Sequence, residues 1–147
     1  MSLGLVHTLN FNQMLEKCFV RALDYEKAAK LYQANAPKDM SLLRCIFYGK
    51  DNTTLIVSTS HDVDGKVILK DLDEPYMDDL VIQPPIQMSQ AEAEKCLYDA
   101  DHKQDWKTVI LRKPLGPEPM NTLYIFCYRN STYWAVDTTN GSVFQLY

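Results

Sequence analysis

Few residues in this chain have the types and spacing that a reaction centre or metal site needs. The run Ser60-x-Asp62-x-Asp64-Gly65 imitates the start of a calcium-binding loop, and Asp71 occupies the twelfth position, where such a loop has its bidentate glutamate. Serine stands where the first carboxylate belongs, and strand-like segments flank the run where helices are required. The pattern therefore favours a simple Asp-Gly turn.

The candidate acids, bases and nucleophiles are scattered. The three histidines, His7, His61 and His102, have no matching partner motif. Gly-x-Ser-x-Gly is absent from the sequence, and five glycines leave little material for a phosphate-binding loop. Cys127 lies inside an apolar strand-like segment, which favours a core position over a nucleophile. We therefore expect a protein that is not an enzyme and binds no cofactor.

The cysteines indicate the compartment. Cys18, Cys45, Cys96 and Cys127 form no Cys-x-x-Cys pair, so no structural metal is expected, and each lies in an apolar context that is typical of buried free thiols. The first residues lack a signal-peptide pattern, and no segment approaches the roughly 20 apolar residues of a membrane-spanning helix. These features favour a cytoplasmic protein that does not associate with membranes. Two disulfides are the alternative if it is exported.

The charge pattern separates classes of partner. Fifteen basic and nineteen acidic residues give a net charge of −4, which disfavours nucleic acid and anionic membranes as partners. Acidic residues are concentrated in 71–79, and this run together with Pro75 and Pro84-Pro85 marks 71–88 as a surface linker. Such a run is usually only a solvated linker, but it can also steer a basic partner. The candidate contact residues here are Asp73, Glu74, Asp78 and Asp79.

Capping signals place the helices. Asn10 with Gln13 has capping-box spacing, and the apolar residues that follow recur at helical intervals. A second helix is predicted over 25–34, with Pro37 ending the helical region. Ser89-x-x-Glu92 is a second capping box and predicts a helix that ends before Trp106.

The remaining apolar segments are short, β-branched or aromatic, and separated by turn residues. They predict strands over 43–48, 54–58 and 66–69, and again over 107–112, 122–128, 132–137 and 142–147. The expected fold is α+β: a helix-plus-meander unit over 1–70, the linker 71–88, and a second such unit over 89–147. The helices are expected on one face of antiparallel sheet. The matching order of strands and turns suggests an internal repeat, with chance similarity as the alternative.

Alternation gives the second sheet two different faces. The aliphatic face suits packing against a helix; it holds Leu123, Ile125, Cys127, Tyr133, Ala135, Phe144 and Leu146. The opposite face is aromatic with polar tips; it holds Tyr124, Phe126, Tyr128, Trp134, Val136, Val143, Gln145 and Tyr147. The candidate contact residues on the aromatic face are Tyr124, Tyr128, Trp134 and Tyr147. An apolar sheet face favours burial against the first unit or a dimer mate over an open binding face, so both interpretations are kept.

The C-terminal part resembles PepSY-like domains through Tyr133-Trp134-x-Val136-Asp137-x-x-x-Gly141-x-Val143 and the helix and strand before it. That resemblance implies a non-catalytic domain, and some family members are thought to restrain peptidases. The tandem layout is also similar to that of β-lactamase-inhibitor-type proteins. We predict a protein–protein interaction module of inhibitor or immunity type, whose partner is another protein or a second copy. The alternatives are an enzyme with a cleft between the units, using His61 with Asp62 or Asp64, and a structural homodimer.

Overall fold

The fold is taken from a computed structural model, which describes residues 8–100, 105–116, 118 and 120–146. Within these ranges the chain forms two α-helices and one nine-stranded antiparallel sheet. The elements are α1 (Phe11–Tyr25), β1 (Lys30–Pro37), β2 (Leu42–Tyr48), β3 (Thr54–Ser60), β4 (Val67–Leu72), β5 (Asp79–Leu80), α2 (Gln90–Asp99), β6 (Trp106–Pro114), β7 (Leu123–Tyr128), β8 (Tyr133–Asp137) and β9 (Val143–Gln145). The predicted α+β class is confirmed.

Both predicted capping boxes are present. The Asn10 side chain accepts a hydrogen bond from the Gln13 backbone N–H at 2.9 Å, and the Gln13 side chain accepts one from the Asn10 N–H. Ser89 and Glu92 make the same reciprocal pair at the start of α2. These bonds satisfy backbone donors that the first helical turn leaves unpaired.

The helix predicted over 25–34 is wrong, because β1 occupies Lys30–Pro37. Leu31, Ala34 and Ala36 point to the core, and Ala34 pairs with Cys45 on one side and with Leu111 on the other. Lysine, leucine and alanine favour a helix locally, but pairing on both sides of β1 buries more of this segment and overrides that preference.

The strand order is β4-β3-β2-β1-β6-β7-β8-β9. Two four-stranded meanders therefore meet where β1 pairs with β6, and the first meander has one strand more than the sequence predicted. The short strand β5 pairs with β6 at Lys113 and Pro114, directly after Arg112, which pairs with Gln33 of β1. The stretch 71–88 thus contributes a strand to the sheet.

The covered face of the second meander is the aromatic one, which corrects the expectation that the aliphatic face lies against a helix. Tyr124, Phe126 and Val136 belong to the same buried cluster as core residues of both helices, and the rings of Phe11 and Tyr124 meet edge to face at 5.7 Å. Polar partners explain why tyrosine can be buried here: the Tyr124 hydroxyl donates to the Met88 carbonyl at 2.8 Å.

The aliphatic residues share one face, as predicted, but they form a separate cluster. Its buried members are Leu123, Ile125, Cys127 and Ala135. Neither α1 nor α2 contributes a residue to this cluster within the part of the chain that the structure describes. Among the described residues, no helix is long and apolar enough to cross a membrane.

Candidate functional site

Three tyrosines from separate elements line one cavity of about 480 Å³, which we call the tyrosine pocket. They are Tyr32 of β1, Tyr48 of β2 and Tyr76 of the segment between β4 and β5. Pro75, Met77 and Leu115 supply apolar rim. Met77 is 75% exposed and Leu115 is 52% exposed, so the mouth of the pocket is apolar and open to contact.

Strand geometry directs the first two rings. Phe47 is fully buried, and side chains alternate along β2, so Tyr48 lies on the opposite face of the sheet. The pairing of β1 with β2 shifts register between Leu31 and Gln33, so Tyr32 occupies a bulge, which can redirect a side chain. The rings of Tyr32 and Tyr76 lie 5.1 Å apart at a tilt of 48°.

The third ring is fixed because its segment is anchored at several points. Thr54 donates its hydroxyl to the Glu74 carbonyl at 2.6 Å, and the Tyr76 hydroxyl donates to an Asp79 carboxylate oxygen at 2.5 Å. The backbone N–H of Ile82 donates to the Leu31 carbonyl at 2.8 Å. The residues between β4 and α2 are therefore held against the first meander.

A buried ion pair lies behind the pocket. The Asp79 side chain is 0% exposed and accepts from Arg112 Nε at 2.6 Å and from Gln33 Nε2 at 3.1 Å. Gln33 Nε2 also lies 3.1 Å from the Tyr76 hydroxyl. The pKa of Tyr76 is raised, mainly by burial and secondly by the hydrogen bond to the Asp79 carboxylate. The hydroxyl therefore stays protonated and remains the donor.

This ion pair corrects one predicted contact residue. Asp79 is buried and neutralised by Arg112, because a carboxylate can lie inside a protein only when it is paired. The other three acidic candidates, Asp73, Glu74 and Asp78, are exposed. They flank Pro75 and Met77 and so place negative charge beside the tyrosine pocket.

A tight turn forms another wall of the pocket. Asp51 and Asn52, between β2 and β3, both have left-handed backbone conformations, with φ of 58° and 62°. Aspartate and asparagine tolerate this region better than most residues. The N–H of Gly49 donates to the Thr53 carbonyl at 2.8 Å and closes the turn, which brings Asn52 and Thr53 to the pocket.

The pocket is chemically suited to binding. The Tyr32 and Tyr48 hydroxyls have no hydrogen-bond partner among the described residues, so both can donate to or accept from a ligand. Burial and the neighbouring Tyr48 raise the pKa of Tyr32, which keeps that hydroxyl protonated. The described lining has no histidine, cysteine or carboxylate to serve as a nucleophile or base.

The predicted aromatic contact residues lie elsewhere. Tyr124 is 0% exposed and Tyr128 is 6% exposed, so neither can contact a partner in the folded protein. Trp134 is half-buried and packs against the main core. Tyr147 lies outside the described residues. Tyr124 and Tyr128 are covered by other residues of this chain, as the alternative of burial within the chain predicted.

The histidine candidates are not brought to a catalytic arrangement. His61 Nε2 lies 3.9 Å from Asp62 Oδ1, beyond hydrogen-bonding distance, and the Asp62 side chain is 71% exposed. Asp62 and Asp64 line an open cavity of about 880 Å³ to which His61 does not contribute. The Gly65 N–H donates to the Asp62 carbonyl, so this stretch is a turn. His7 and His102 lie outside the described residues.

The tyrosine pocket was missed because no local pattern connects its members. Tyr32 falls in the wrongly predicted helix, Tyr48 ends a strand and Tyr76 lies in the predicted linker. The available signal was the alternation of β2, which places Tyr48 opposite the core residue Phe47. It could not show which distant residues lie beside Tyr48.

Comparisons with known proteins show a likeness of fold alone. No family model matches the chain, and no curated protein matches its sequence. A crystal structure from Clostridium difficile 630, described as a "putative lipoprotein", is similar at a TM-score of 0.64 with 16% sequence identity. The match covers 94% of this chain and 96% of that chain, so the likeness extends over almost the whole fold.

Proposed function

We propose that the chain is a non-catalytic protein-binding module and that its partner docks at the tyrosine pocket. The observation that carries the proposal is the convergence of Tyr32, Tyr48 and Tyr76 from three separate elements onto one cavity with an exposed apolar rim. The resemblance to PepSY-like domains and β-lactamase-inhibitor-type proteins supports an inhibitory or immunity-type role for this contact.

Tyrosines on a fixed framework suit such a role. A tyrosine offers a large apolar ring and a polar tip, and it loses little side-chain entropy on binding. The anchors that hold Glu74, Tyr76 and Ile82 place the pocket in its binding geometry before a partner arrives. A preorganised site avoids part of the ordering cost that weakens association.

The surroundings of the pocket favour a basic partner. Asp73, Glu74 and Asp78 are exposed, and 71–79 contains no lysine or arginine. Exposed charges of one sign accelerate encounter with a partner of the opposite sign and set its orientation. In this proposal the acidic residues attract a basic partner, and the tyrosine pocket beside them binds it.

The proposal also treats the two halves as an internal repeat with both helices on one face of the sheet. Each half runs from a helix into four strands that form a meander. Core residues of α1 and of α2 belong to a single buried cluster. Two such halves joined at β1 and β6 leave the opposite side of the sheet, where Tyr48 lies, as the side that meets partners.

Site-specific crosslinking tests the proposed function. A photoreactive phenylalanine analogue replaces Met77 at the pocket rim or, as the matched control, Val20, which is 63% exposed on α1. In cells of the source organism we expect one discrete crosslinked protein from position 77 and none from position 20. The substitution Tyr48→Ala should remove that product without lowering the melting temperature by more than a few degrees.

Two results would contradict the proposal. Equal crosslinking from positions 77 and 20 would show non-specific contact. A product that contains two copies of this chain, together with a dimer on sizing, would favour the structural homodimer over a module for another protein. A discrete heterologous product should be purified and its affinity for the wild-type chain compared with its affinity for the Tyr48→Ala chain.

A further inference from the structure

We infer that the tyrosine pocket binds a cationic side chain, a lysine or arginine of the partner protein, through its ring faces and the carboxylates around it. This inference rests on the proposed function and names the chemistry of the group that enters the pocket. The juxtaposition that carries it is three tyrosine rings around one cavity with exposed acidic residues on two of the segments that form its walls.

The ring faces are available to a cation. Cation–π contact requires a positive group within about 6 Å of a ring centroid. This chain makes such contacts elsewhere: Arg21 lies 6.0 Å from the Tyr25 ring, and Lys38 lies 5.2 Å from the Trp106 ring. In the described part of the chain, no lysine or arginine lies over the rings of the tyrosine pocket.

Carboxylates outweigh basic groups around the cavity. Three exposed acidic residues are next to its lining residues in the chain, namely Asp51, Glu74 and Asp78, and exposed Asp73 is one position further away. No basic residue is next to a lining residue in the chain; the two nearby lysines are Lys30, which pairs with Tyr48 across the strands, and Lys50, two positions from Asn52. Lys113 lines a different cavity, and Arg112 is engaged by Asp79. An incoming cation therefore meets an excess of negative charge.

The walls also match the stem of a basic side chain. Lysine and arginine carry an apolar chain that packs on apolar surface while the charged end reaches a polar site. Pro75, Met77 and Leu115 offer such a surface at the mouth, and the rings lie deeper. An anion would be repelled by the carboxylates, and a purely apolar group would leave the hydroxyls of Tyr32 and Tyr48 without partners.

Peptide titration of the full chain tests the inference. The probes are the blocked tripeptide acetyl-Gly-Lys-Gly-amide and its norleucine counterpart, which has a similar apolar stem and no charge. Tyrosine ring signals are followed by NMR. We expect the lysine peptide to shift the signals of Tyr32, Tyr48 and Tyr76 with a dissociation constant on the order of millimolar. The norleucine peptide should bind at least threefold more weakly, and added salt should weaken the binding of the lysine peptide.

Three variants measure separately what the Tyr48 ring, its hydroxyl and the acidic residues contribute to binding, and spectra check that each variant is folded. Tyr48→Phe keeps the ring and loses only the hydroxyl contact, so it should weaken binding of the lysine peptide less than threefold, whereas Tyr48→Leu keeps an apolar side chain without a ring and should weaken binding at least threefold. The double variant Asp73→Asn/Glu74→Gln leaves the rings intact and should also weaken it. Amide spectra unchanged outside the pocket verify that each variant is folded.

The outcomes distinguish this inference from the proposed function. Equal binding of the lysine and norleucine peptides would overturn the cation while leaving a protein-binding pocket. Absence of any shift in the three tyrosine signals would also overturn it, and the Met77 crosslink would then decide the proposed function independently. If the crosslink is absent as well, both fail.

Discussion

Asn12, in the first turn of α1, donates its side-chain amide to the hydroxyl of Tyr124 in β7 at 3.1 Å. The same asparagine accepts a hydrogen bond from the Gln90 backbone N–H at 2.8 Å, and the Tyr124 hydroxyl donates to the Met88 carbonyl. One small polar junction therefore joins the starts of both helices to a central strand. It allows a fully buried tyrosine to stand in the core with its hydroxyl satisfied.

Removing the Tyr124 hydroxyl should destabilise the fold at neutral pH. Tyr124→Phe leaves the Asn12 amide and the Met88 carbonyl without their partner, which costs about 1–2 kcal/mol of unfolding free energy. Urea denaturation of the wild type, Tyr124→Phe, Asn12→Ala and the double variant measures the coupling, which we expect to be about 1 kcal/mol. Tyr25→Phe is the control, because that exposed hydroxyl bonds to exposed Asp71. Strictly additive effects of the two substitutions would contradict the junction.

The same residue should make the protein sensitive to alkali. Burial raises the pKa of Tyr124 to about 12, above the ordinary value near 10. Because the pKa is higher in the folded than in the unfolded state, the protonated Tyr124 hydroxyl contributes its full share of the unfolding free energy below pH 10, and this share is lost as the pH rises through 12. The difference in unfolding free energy between the wild type and Tyr124→Phe should therefore decrease between pH 10 and pH 12, as measured by urea denaturation across that range. A constant difference between the two proteins would show that Tyr124 does not ionise in this window.

The Asp79–Arg112 pair should be far more important for stability than a surface pair. Arg112→Met leaves a buried carboxylate without its cation, and we expect a loss of about 3 kcal/mol in unfolding free energy. Lys95→Met is the matched control, since Lys95 and Asp99 are both largely exposed and solvent screens their pair, so its loss should lower the unfolding free energy far less. Chemical denaturation compares the two. Similar small losses would mean that Asp79 finds water or another partner.

Thiol reactivity should follow burial. Cys96 is half-buried, whereas Cys18, Cys45 and Cys127 are buried. Burial, together with the neighbouring Cys18 thiol, raises the pKa of Cys45 well above its ordinary value, which suppresses the reactive thiolate. Iodoacetamide followed by peptide mass spectrometry should therefore modify Cys96 first. Concentrated urea should equalise the four cysteines, and equal modification of Cys45 and Cys96 in the folded protein would contradict this packing.

Local signals predicted local structure well. The capping residues Ser89 and Glu92 identify the start of α2 because reciprocal side-chain bonds act over three positions. Alternation correctly grouped Leu123 with Ala135 on one face, because the side-chain period of a strand is fixed. It could not show which face the helices cover, since that depends on where α1 and α2 dock.

The failures concern contacts between distant parts of the chain. β1 is a strand because β2 and β6 pair with it, and β6 begins far along the chain at Trp106. The tyrosine pocket needs β1 in that place, together with the Arg112 that draws Asp79 inward. Neither condition leaves a pattern in any short window of sequence, so composition and spacing near Tyr76 indicated only a linker.

The central pairing of β1 with β6 also bears on the order in which the chain assembles. Each meander closes through short turns, but Ala34 meets Leu111 only after everything between them has been brought around. Closing so long a loop costs chain entropy before any contact repays it. We therefore expect the two halves to form separately and their joining to set the folding rate.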